Sequence, residues 1–349
     1  MKKVLKIIGI VLGIIILIPI LFLLFLRIVM YDPEAVEDVE YTSGSRKVAA
    51  GDVLSVLSFN IGYAGYNDGE DFFMDGGEGV LPKSRDDVID NLSGISAIIT
   101  GEDCDIALLQ EVDVDSRRSY HINELAYLGS STGLPRAFAC NYKVIFIPYP
   151  IPPIGQVNGG VATFTDLEVT DAKRIALPDT APWYMSMGYL KRCLLVERIP
   201  VEGTDHELVI VNQHLEAYTE EEKRDLQMAV LCDLIEEEYQ KGNYVIVGGD
   251  FNQEFSVNDN PPLLSDTGWI PGEVTEEDIP DGFSLAVADN APSCRSLEEP
   301  FKDNETSQVY IIDGFIVSNN LEVRLVEVHD YGFKNSDHNP VRLEVRLKP

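Results

Sequence analysis

The feature that constrains this chain most is an uncharged apolar run near its amino terminus. From Ile7 to Leu26, 20 residues pass without an acid or a base, and the run consists of Ile, Leu, Val, Phe, Gly and Pro. A helix of that length spans a hydrocarbon core of roughly 30 Å, whereas a secretory signal has a shorter apolar region of about 7–15 residues. We predict an uncleaved membrane anchor. A signal cleaved at the distant Val48-Ala49-Ala50 and a buried soluble helix are the alternatives.

Charges on the two sides of the run predict its orientation. Three lysines precede it, and four acids follow it between positions 32 and 38. The positive-inside rule then places the amino terminus in the cytoplasm and the rest of this single-pass chain outside the cell membrane. We divide the chain into a basic tip and anchor (1–30), a linker without periodicity (31–52) and one large domain (53–349).

The charge balance restricts the partners of that large domain. The chain has 58 acids and 27 bases, a net charge of −31; residues 1–30 hold four of the bases and no acid, which leaves 58 against 23, or −35, for the remainder. Such a surface repels extended polyanions unless cations or a local basic groove intervene. Five cysteines without metal-type spacing predict free thiols.

Strand-like apolar runs alternate with helical patterns in the large domain. One helix is predicted to begin after Ser84, which would be its N-cap residue, with Asp87 at the third helical position. A second helix is predicted to begin at a capping box formed by Thr219 and Glu222. The buried face of the second is predicted to contain Leu226, Val230, Leu234 and Ile235. Strands are predicted at 53–59, 105–110, 208–212, 244–247, 311–317 and 341–347. The pattern indicates an α/β or α+β fold with several strands and few helices.

Polar side chains follow several of these strands directly. One such residue is an ordinary turn former, but strand ends on one sheet edge converge on a common rim. Together the residues indicate a hard-cation site with proton-transfer groups. They are Asn60; Gln110 and Glu111; Asn212, Gln213 and His214; Asp250 and Asn252; Ser336, Asp337 and His338; and Asp313, which lies inside a sixth apolar run.

In this ordered set the chain resembles the endonuclease/exonuclease/phosphatase superfamily, which has the deoxyribonuclease I-like fold. The resemblance covers about residues 53–349 and implies a four-layer sandwich, with two mixed β-sheets face to face and helices outside. The string Asn212-Gln-His214-Leu-Glu-Ala-Tyr218 is most similar to the neutral sphingomyelinase-like branch. The other motifs are Leu57-Ser-Phe-Asn60-Ile, Leu109-Gln-Glu111-Val, Gly248-Gly-Asp250-Phe-Asn252, Ile312-Asp313-Gly-Phe-Ile-Val-Ser318 and Ser336-Asp337-His338-Asn-Pro-Val341.

The resemblance also implies a metal site. Glu111 would be the main ligand with Asn60 beside it, and Asp337 would complete or adjust the site. An oxygen-rich, partly hydrated site suits magnesium, with manganese as a substitute.

The remaining motif residues receive catalytic roles from the same resemblance. Asp250 and Asn252 would orient the nucleophilic water and the phosphoryl oxygens. His338 would act near the water or the transition-state oxygens, and its ring would donate a hydrogen bond to Asp313, which fixes its tautomer. His214 would donate to a phosphate oxygen or to the leaving group. Which group removes the proton stays open.

Several weaker features stand outside these motifs. Arg117-Arg118, Lys143 and Arg192 are candidate cations for a phosphate, with a solvated loop as the equal alternative for the arginine pair. The acidic glycine-rich loop 67–78 lacks EF-hand spacing and is interpreted as a loop at the rim of the site. The proline-dense apolar segment 146–154 is either a membrane-facing or substrate-covering loop or, by preference, a rigid packed connection.

Three functions follow, in order of preference. The first is a metal-dependent phosphodiesterase that acts on a phospholipid head group or a small phosphoester at the outer cell surface. The second is an extracellular endo- or exonuclease, which the strongly acidic domain disfavours because it lacks a basic footprint. The third is a non-catalytic surface binding module, and a phosphomonoesterase is a further alternative. No protein partner is predicted.

Overall fold

Helices and strands alternate along the chain as its apolar periodicity predicts. The computed structural model describes residues 2–182, 185–265 and 268–349. Its helices are α1 (Lys2–Val29), α2 (Arg85–Glu102), α3 (Glu124–Thr132) and α4 (Glu221–Gln240). Its strands are β1 (Val36–Asp38), β2 (Val48–Ala49), β3 (Val53–Asn60), β4 (Ile106–Asp113), β5 (Arg136–Ile147), β6 (Gly155–Thr165), β7 (Asp171–Ala176), β8 (Cys193–Glu202), β9 (Glu207–His214), β10 (Tyr244–Asp250), β11 (Gln253–Phe255), β12 (Gly272–Val274), β13 (Phe283–Ala286), β14 (Cys294–Arg295), β15 (Val309–Tyr310), β16 (Asp313–Ser318), β17 (Leu321–Val328) and β18 (Val341–Leu347).

Two mixed sheets form the centre of the molecule. The first has the strand order β1-β7-β8-β9-β10-β16-β13 with β2 beside β8, and the second has the order β17-β18-β3-β4-β6-β5. Each sheet contains one parallel pair of consecutive long strands, β3 with β4 and β9 with β10. Parallel neighbours need a crossover connection, and α2 and α4 provide it. In each pair the carboxyl ends therefore lie at the same edge of the sheet.

Apolar side chains pack in three layers around these sheets. The inner faces of both sheets meet in one core, and α4 and α2 cover the outer faces of the first and the second sheet. The four-layer sandwich is thus confirmed. Representative residues are Val56, Leu108, Ile210 and Ile246 in the inner core, Leu231 and Ile235 on α4, and Leu92 and Ile95 on α2.

The two predicted helix starts have different outcomes. Ser84 caps α2 and accepts a hydrogen bond from the Asp87 amide, as predicted. The capping box before α4 is wrong, because Glu220 occupies the N-cap position without a side-chain hydrogen bond. The register of α4 turns Met228, rather than Leu226, toward the sheet; Leu226 is 56% exposed. The sequence of α4 has apolar residues on both faces, so the face that packs against the sheet cannot be identified before the sheet is known.

The segment predicted as a linker, residues 31–52, lies on the domain instead. β1 pairs with β7 and β2 pairs with β8, and Val48 is fully buried in the inner core. Arg46 forms ion pairs with Asp105 and Asp166. Strands of two or three residues are too short for a period-2 pattern to show in the sequence.

Helix α1 has the properties of the predicted membrane segment. Among the described residues, α1 is the one helix that is long and apolar enough to cross a membrane. Its apolar side chains, apart from Leu26, are not buried. Met1, the first residue of the predicted tip, lies outside the described residues. All five cysteines are free, as predicted.

Candidate active site

The strand ends bring the predicted residues of the two sheets together. In the first sheet His214, Asp250 and Asp313 are direct neighbours in register on β9, β10 and β16. In the second sheet Asn60 ends β3. The Nδ2 atom of Asn60 donates a hydrogen bond of 2.9 Å to Oδ2 of Asp250 and so connects the two sheets.

Two site residues have backbone conformations that residues other than glycine rarely adopt. Glu111 has φ 54° and Asn252 has φ 52°. The register between β4 and β6 shifts between Leu109 and Val112, so that Glu111 lies in an irregular part of the strand. Such a bulge re-aims a side chain, and here Glu111 lines the central pocket. Strained backbone of this kind collects at functional sites.

Asp250 is the centre of the polar cluster. Its Oδ1 accepts the backbone amide of Asn252 at 2.8 Å, and its Oδ2 lies 3.4 Å from His214 Nε2 and 3.8 Å from His338 Nε2. Burial, followed by the charge of Asp313, raises the pKa of Asp250 to about 7. A carboxylate in this position therefore favours a neighbouring proton or cation.

The two histidines have opposite electrostatic surroundings. Nδ1 of His338 lies 2.8 Å from Oδ2 of Asp313, which leaves Nε2 directed toward Asp250. Burial works against protonation of His338, but the Asp313 carboxylate outweighs it, so the pKa of His338 lies well above its usual range. For His214, burial and the charge of Arg192 act together and lower the pKa well below that range.

The three predicted metal ligands, Asn60, Glu111 and Asp337, all line the pocket. Asn60 Nδ2 is 3.5 Å from Glu111 Oε1, and Ser336 Oγ contacts Asp337 Oδ1 at 3.3 Å. Burial raises the pKa of Asp337 to about 6; His338 opposes that rise and Glu111 adds to it. These oxygen donors fit a hard divalent cation.

A second arrangement in the same pocket also fits a cation. Ligand atoms of Asp250, Asp313 and His338 lie within 4.8 Å of one another, and Oδ1 of Asp313 is buried with no hydrogen-bond partner in the part of the chain that the structure describes. This cluster differs from the predicted ligand set, because its residues were assigned to catalysis. The site thus offers two adjoining positions for positive charge.

One cavity of about 200 Å³ contains the cluster. Asp313 lies behind His338, and the other seven predicted site residues line the cavity: Asn60, Glu111, His214, Asp250, Asn252, Asp337 and His338. Aromatic side chains that no motif predicted also line the cavity, among them Tyr63, Tyr66, Tyr142, Tyr189, Trp269 and Tyr310. These residues come from separate strands and loops, and a single sequence holds no signal that connects them.

The cationic side chains predicted to bind phosphate have different surroundings in the structure. Arg118 forms a double hydrogen bond to Asp113 and lies 3.8 Å above the ring of Tyr63. Lys143 lies near the ring of Tyr31, away from the cavity. Arg192 lines the cavity, and its buried Nε and Nη1 have no hydrogen-bond partner among the described residues.

The fold and this site define an enzyme of the phosphoesterase and nuclease class. Residues 57–338 match the Endonuclease/Exonuclease/phosphatase family, and the chain belongs to that family. Members of the family depend on metal.

Solved structures support the fold. A family protein from Beutenbergia cavernae aligns over 85% of this chain and 72% of its own, with 18% identity and a TM-score of 0.57. One from Bacteroides vulgatus aligns over 85% and 100%, with 18% identity and 0.54. Truncated Caenorhabditis elegans TDP2 aligns over 85% and 99%, with 18% identity and 0.51. A comparison with curated proteins returns no match.

Proposed function

We propose that this chain is a membrane-anchored phosphodiesterase that uses Mg²⁺ to hydrolyse a phospholipid head group or a small phosphoester at the outer cell surface. The observation that carries the proposal is the convergence of predicted metal-ligand and proton-transfer residues from both sheets on one cavity. Hydrolysis of a phosphoester needs charge neutralisation, an oriented water and assistance to the leaving oxygen. The cavity contains candidates for each requirement.

Asn60, Glu111 and Asp337 would hold the cation. A bound Mg²⁺ or Mn²⁺ would neutralise charge on the phosphoryl oxygens. The buried carboxylate of Asp337 supports this assignment, because its raised pKa of about 6 indicates a group that gains from a nearby cation. The group Asp250, Asp313 and His338 is the alternative position, and metal binding by variants distinguishes the two.

The other residues would orient and transfer protons. Asp250 and Asn252, joined by the 2.8 Å hydrogen bond, would position the attacking water. Asp313 holds the ring of His338, whose Nε2 would face the reacting phosphate. His214, whose Nε2 lies 3.4 Å from Oδ2 of Asp250, would donate to a phosphate oxygen or to the leaving group.

Arg192 would bind the phosphate in this otherwise acidic chain. Its side chain is 6% exposed, and the nearest carboxylate oxygen, Glu216 Oε2, lies 3.6 Å from its Nε. That carboxylate already accepts a hydrogen bond of 3.0 Å from Tyr189. A buried guanidinium with vacant donors favours a bound anion, since a buried charge without a close partner is unfavourable.

The state of α1 supports an anchor over the alternatives. A soluble core helix would bury its apolar residues, whereas those of α1, apart from Leu26, are not buried. Cleavage after Ala50 would separate Val48 and β2 from the core in which Val48 is fully buried. Three lysines before the apolar run support an external domain.

A nuclease is the second candidate. Danio rerio TDP2, at 14% identity, has been solved with a single strand DNA product. The net charge of −31 disfavours it for this chain, because extended nucleic acids bind basic surfaces.

The test is a substrate panel with the full chain in detergent or vesicles. Sphingomyelin, other phospholipids, inositol phosphates, DNA and bis-nitrophenyl phosphate are compared with Mg²⁺, Mn²⁺, Ca²⁺ or chelator. We expect lipid or small-diester turnover that chelation abolishes. Turnover that survives complete chelation contradicts the metal mechanism, and DNA cleavage without lipid turnover favours the nuclease.

A matched pair of variants assigns the metal ligands. Glu111→Gln should lose Mn²⁺ binding, measured by calorimetry, together with turnover. The exposed Glu322→Gln on β17 is the control and should retain both. Mn²⁺ affinity that is unchanged in Glu111→Gln but lost in Asp313→Asn assigns the cation to the alternative cluster.

A further inference from the structure

We propose that the segment 145–154, here named the rim loop, is a membrane-contact surface that seats the cavity mouth on the outer leaflet beside the chain's own anchor. The occupant is the phospholipid bilayer that α1 spans. The inference rests on the proposed function and narrows its substrate to lipids of that bilayer. It concerns a surface that lies outside the catalytic cluster.

The rim loop has the chemistry of a membrane surface and not of a solvated turn. Its sequence, Ile-Phe-Ile-Pro-Tyr-Pro-Ile-Pro-Pro-Ile, contains no charge in a chain of net charge −31. Ile151 is 93% and Tyr149 69% exposed, and Phe146 is 42% exposed. Its four prolines have no amide N–H, so the loop carries few donors that would need a partner at the lipid interface.

The rim loop is held at the cavity mouth. The guanidinium of Arg117 donates a hydrogen bond to the Pro153 carbonyl. The ring of Tyr149 lies 6.0 Å from that of Phe73, and Ile154 lines the cavity. The exposed side chains are therefore attached to the entrance of the site and not to a remote tail.

The anchor meets the domain at the strand that leads into this loop. Tyr31, two residues after the end of α1, donates a hydrogen bond of 3.4 Å from its hydroxyl to the Cys140 carbonyl on β5. Lys143 Nζ and the Arg174 guanidinium lie 5.9 and 5.8 Å from the Tyr31 ring. A Tyr with flanking cations is typical of the level of lipid head groups. Three residues of strand, about 10 Å, separate Lys143 from Phe146.

The last turns of α1 also touch the domain. Leu26 is buried, unlike the rest of the apolar run, and the short turn Ser186–Gly188 lies against α1. The Tyr142 hydroxyl donates to the Gly188 carbonyl at 3.4 Å, and Tyr142 lines the cavity. The edge of the domain that faces the bilayer is thus also a wall of the active site. A lipid head group from the same leaflet can reach the cavity without leaving the membrane plane.

Fluorescence quenching tests the contact independently of activity. The full chain is reconstituted in phosphatidylcholine vesicles with and without brominated acyl chains, as Ile151→Trp or as the control Val323→Trp. Val323 is 39% exposed on β17, at the opposite edge of the sheet from β5. Quenching beyond that of the wild type is expected for Ile151→Trp alone. Unquenched emission in Ile151→Trp overturns the proposal, and so does a blue shift without quenching, which indicates a second protein copy on the loop.

A substrate pair tests the consequence for catalysis. Tyr149 and Ile151, neither of which lines the cavity, are both changed to Asp, with Val323→Asp as the control. Turnover of phospholipid in the same vesicle should fall about tenfold or more, while turnover of soluble bis-nitrophenyl phosphate stays within about twofold. Unchanged lipid turnover, or an equal loss on both substrates, overturns the proposal. If the wild type hydrolyses neither substrate, the proposed function fails while the quenching result still decides the membrane contact.

Discussion

Glu197 is a carboxyl group inside the apolar core between the two sheets. On β8 it alternates with Leu195 and Ile199, which both belong to inner clusters, and only 2% of its surface is exposed. Burial raises the pKa of Glu197 from 4.5 to about 8, and the hydroxyl of Thr163 opposes that rise. We predict that Glu197→Gln stabilises the protein at neutral pH and that the gain depends on pH.

The sign and size follow from proton linkage. Above pH 4.5 the unfolded chain releases the proton of Glu197, whereas the folded protein keeps it up to a pH of about 8. Glu197 therefore has least effect on the free energy of unfolding below pH 4.5. Its effect lowers that free energy progressively as the pH rises from 4.5 toward 8, and the effect is constant at higher pH. At about 1.4 kcal/mol per pKa unit, the loss is roughly 3 kcal/mol at pH 7 and roughly 5 kcal/mol over the whole interval.

Urea unfolding of the full chain in detergent, followed by fluorescence between about pH 5 and about pH 8, measures the effect. The stability difference between Glu197→Gln and the wild type should increase steadily across this range. The exposed Glu322→Gln should show a difference that does not vary with pH. A constant or vanishing difference for Glu197→Gln would refute the argument that this carboxyl is buried and protonated.

Three further predictions concern the active site. Gly62 has φ 51°, and a Cβ at this position would lie 2.7 Å from Asp337 Oδ1. Gly62→Ala should therefore lower stability in a thermal melt by about 1 kcal/mol or more and should also weaken Mn²⁺ binding. The control is Gly133→Ala, at φ 71° with open space around it, which should lower stability without an effect on Mn²⁺ binding. Arg192→Met should lower kcat/KM on a soluble phosphodiester about 10–100-fold, with near-normal Mn²⁺ affinity as the sign that phosphate binding was lost; an unchanged kcat/KM rejects the assignment. Asp313→Asn should lower kcat about 10²-fold or more with little change in the melting temperature, since Nδ1 of His338 loses its carboxylate partner, which fixes the tautomer of the ring and favours its protonation. An equal loss of kcat and of melting temperature would indicate a structural role.

Long apolar strands and the polar residues that end them could be predicted from the sequence. The seven or eight residues of β3, β9 and β10 carry their own pattern, and the polar residue at each carboxyl end must lie on the rim because parallel neighbours share an edge. The positions of Asn60, His214 and Asp250 therefore followed from local information. The order of the motifs connected them to one fold.

The features that were missed depend on distant partners. The inward direction of Glu111 requires a register shift in β4 and a positive φ, which no local pattern encodes. β1 and β2 gain their structure from pairing with β7 and β8. Whether Arg118 or Arg192 has vacant donors depends on which carboxylates lie nearby: Asp113 is five residues from Arg118, whereas Glu216 approaches Arg192 from another strand end.

The charges around the cavity support the proposal that so acidic a chain binds an anionic phosphate. Three arginines line the cavity, but Arg118 is paired with Asp113, and Arg295 donates to backbone carbonyls. Arg192 alone among these three has both a vacant Nε and a vacant Nη1. Two acids of the same cavity, Asp250 and Asp337, have raised pKa values of about 7 and about 6, so they favour a cation nearby. In the proposed function, a phosphate held between that cation and Arg192 would be neutralised on two sides locally, while the net charge of −31 would still repel long polyanions. This charge distribution is the reason that we propose a small head group and not a nucleic acid as the substrate.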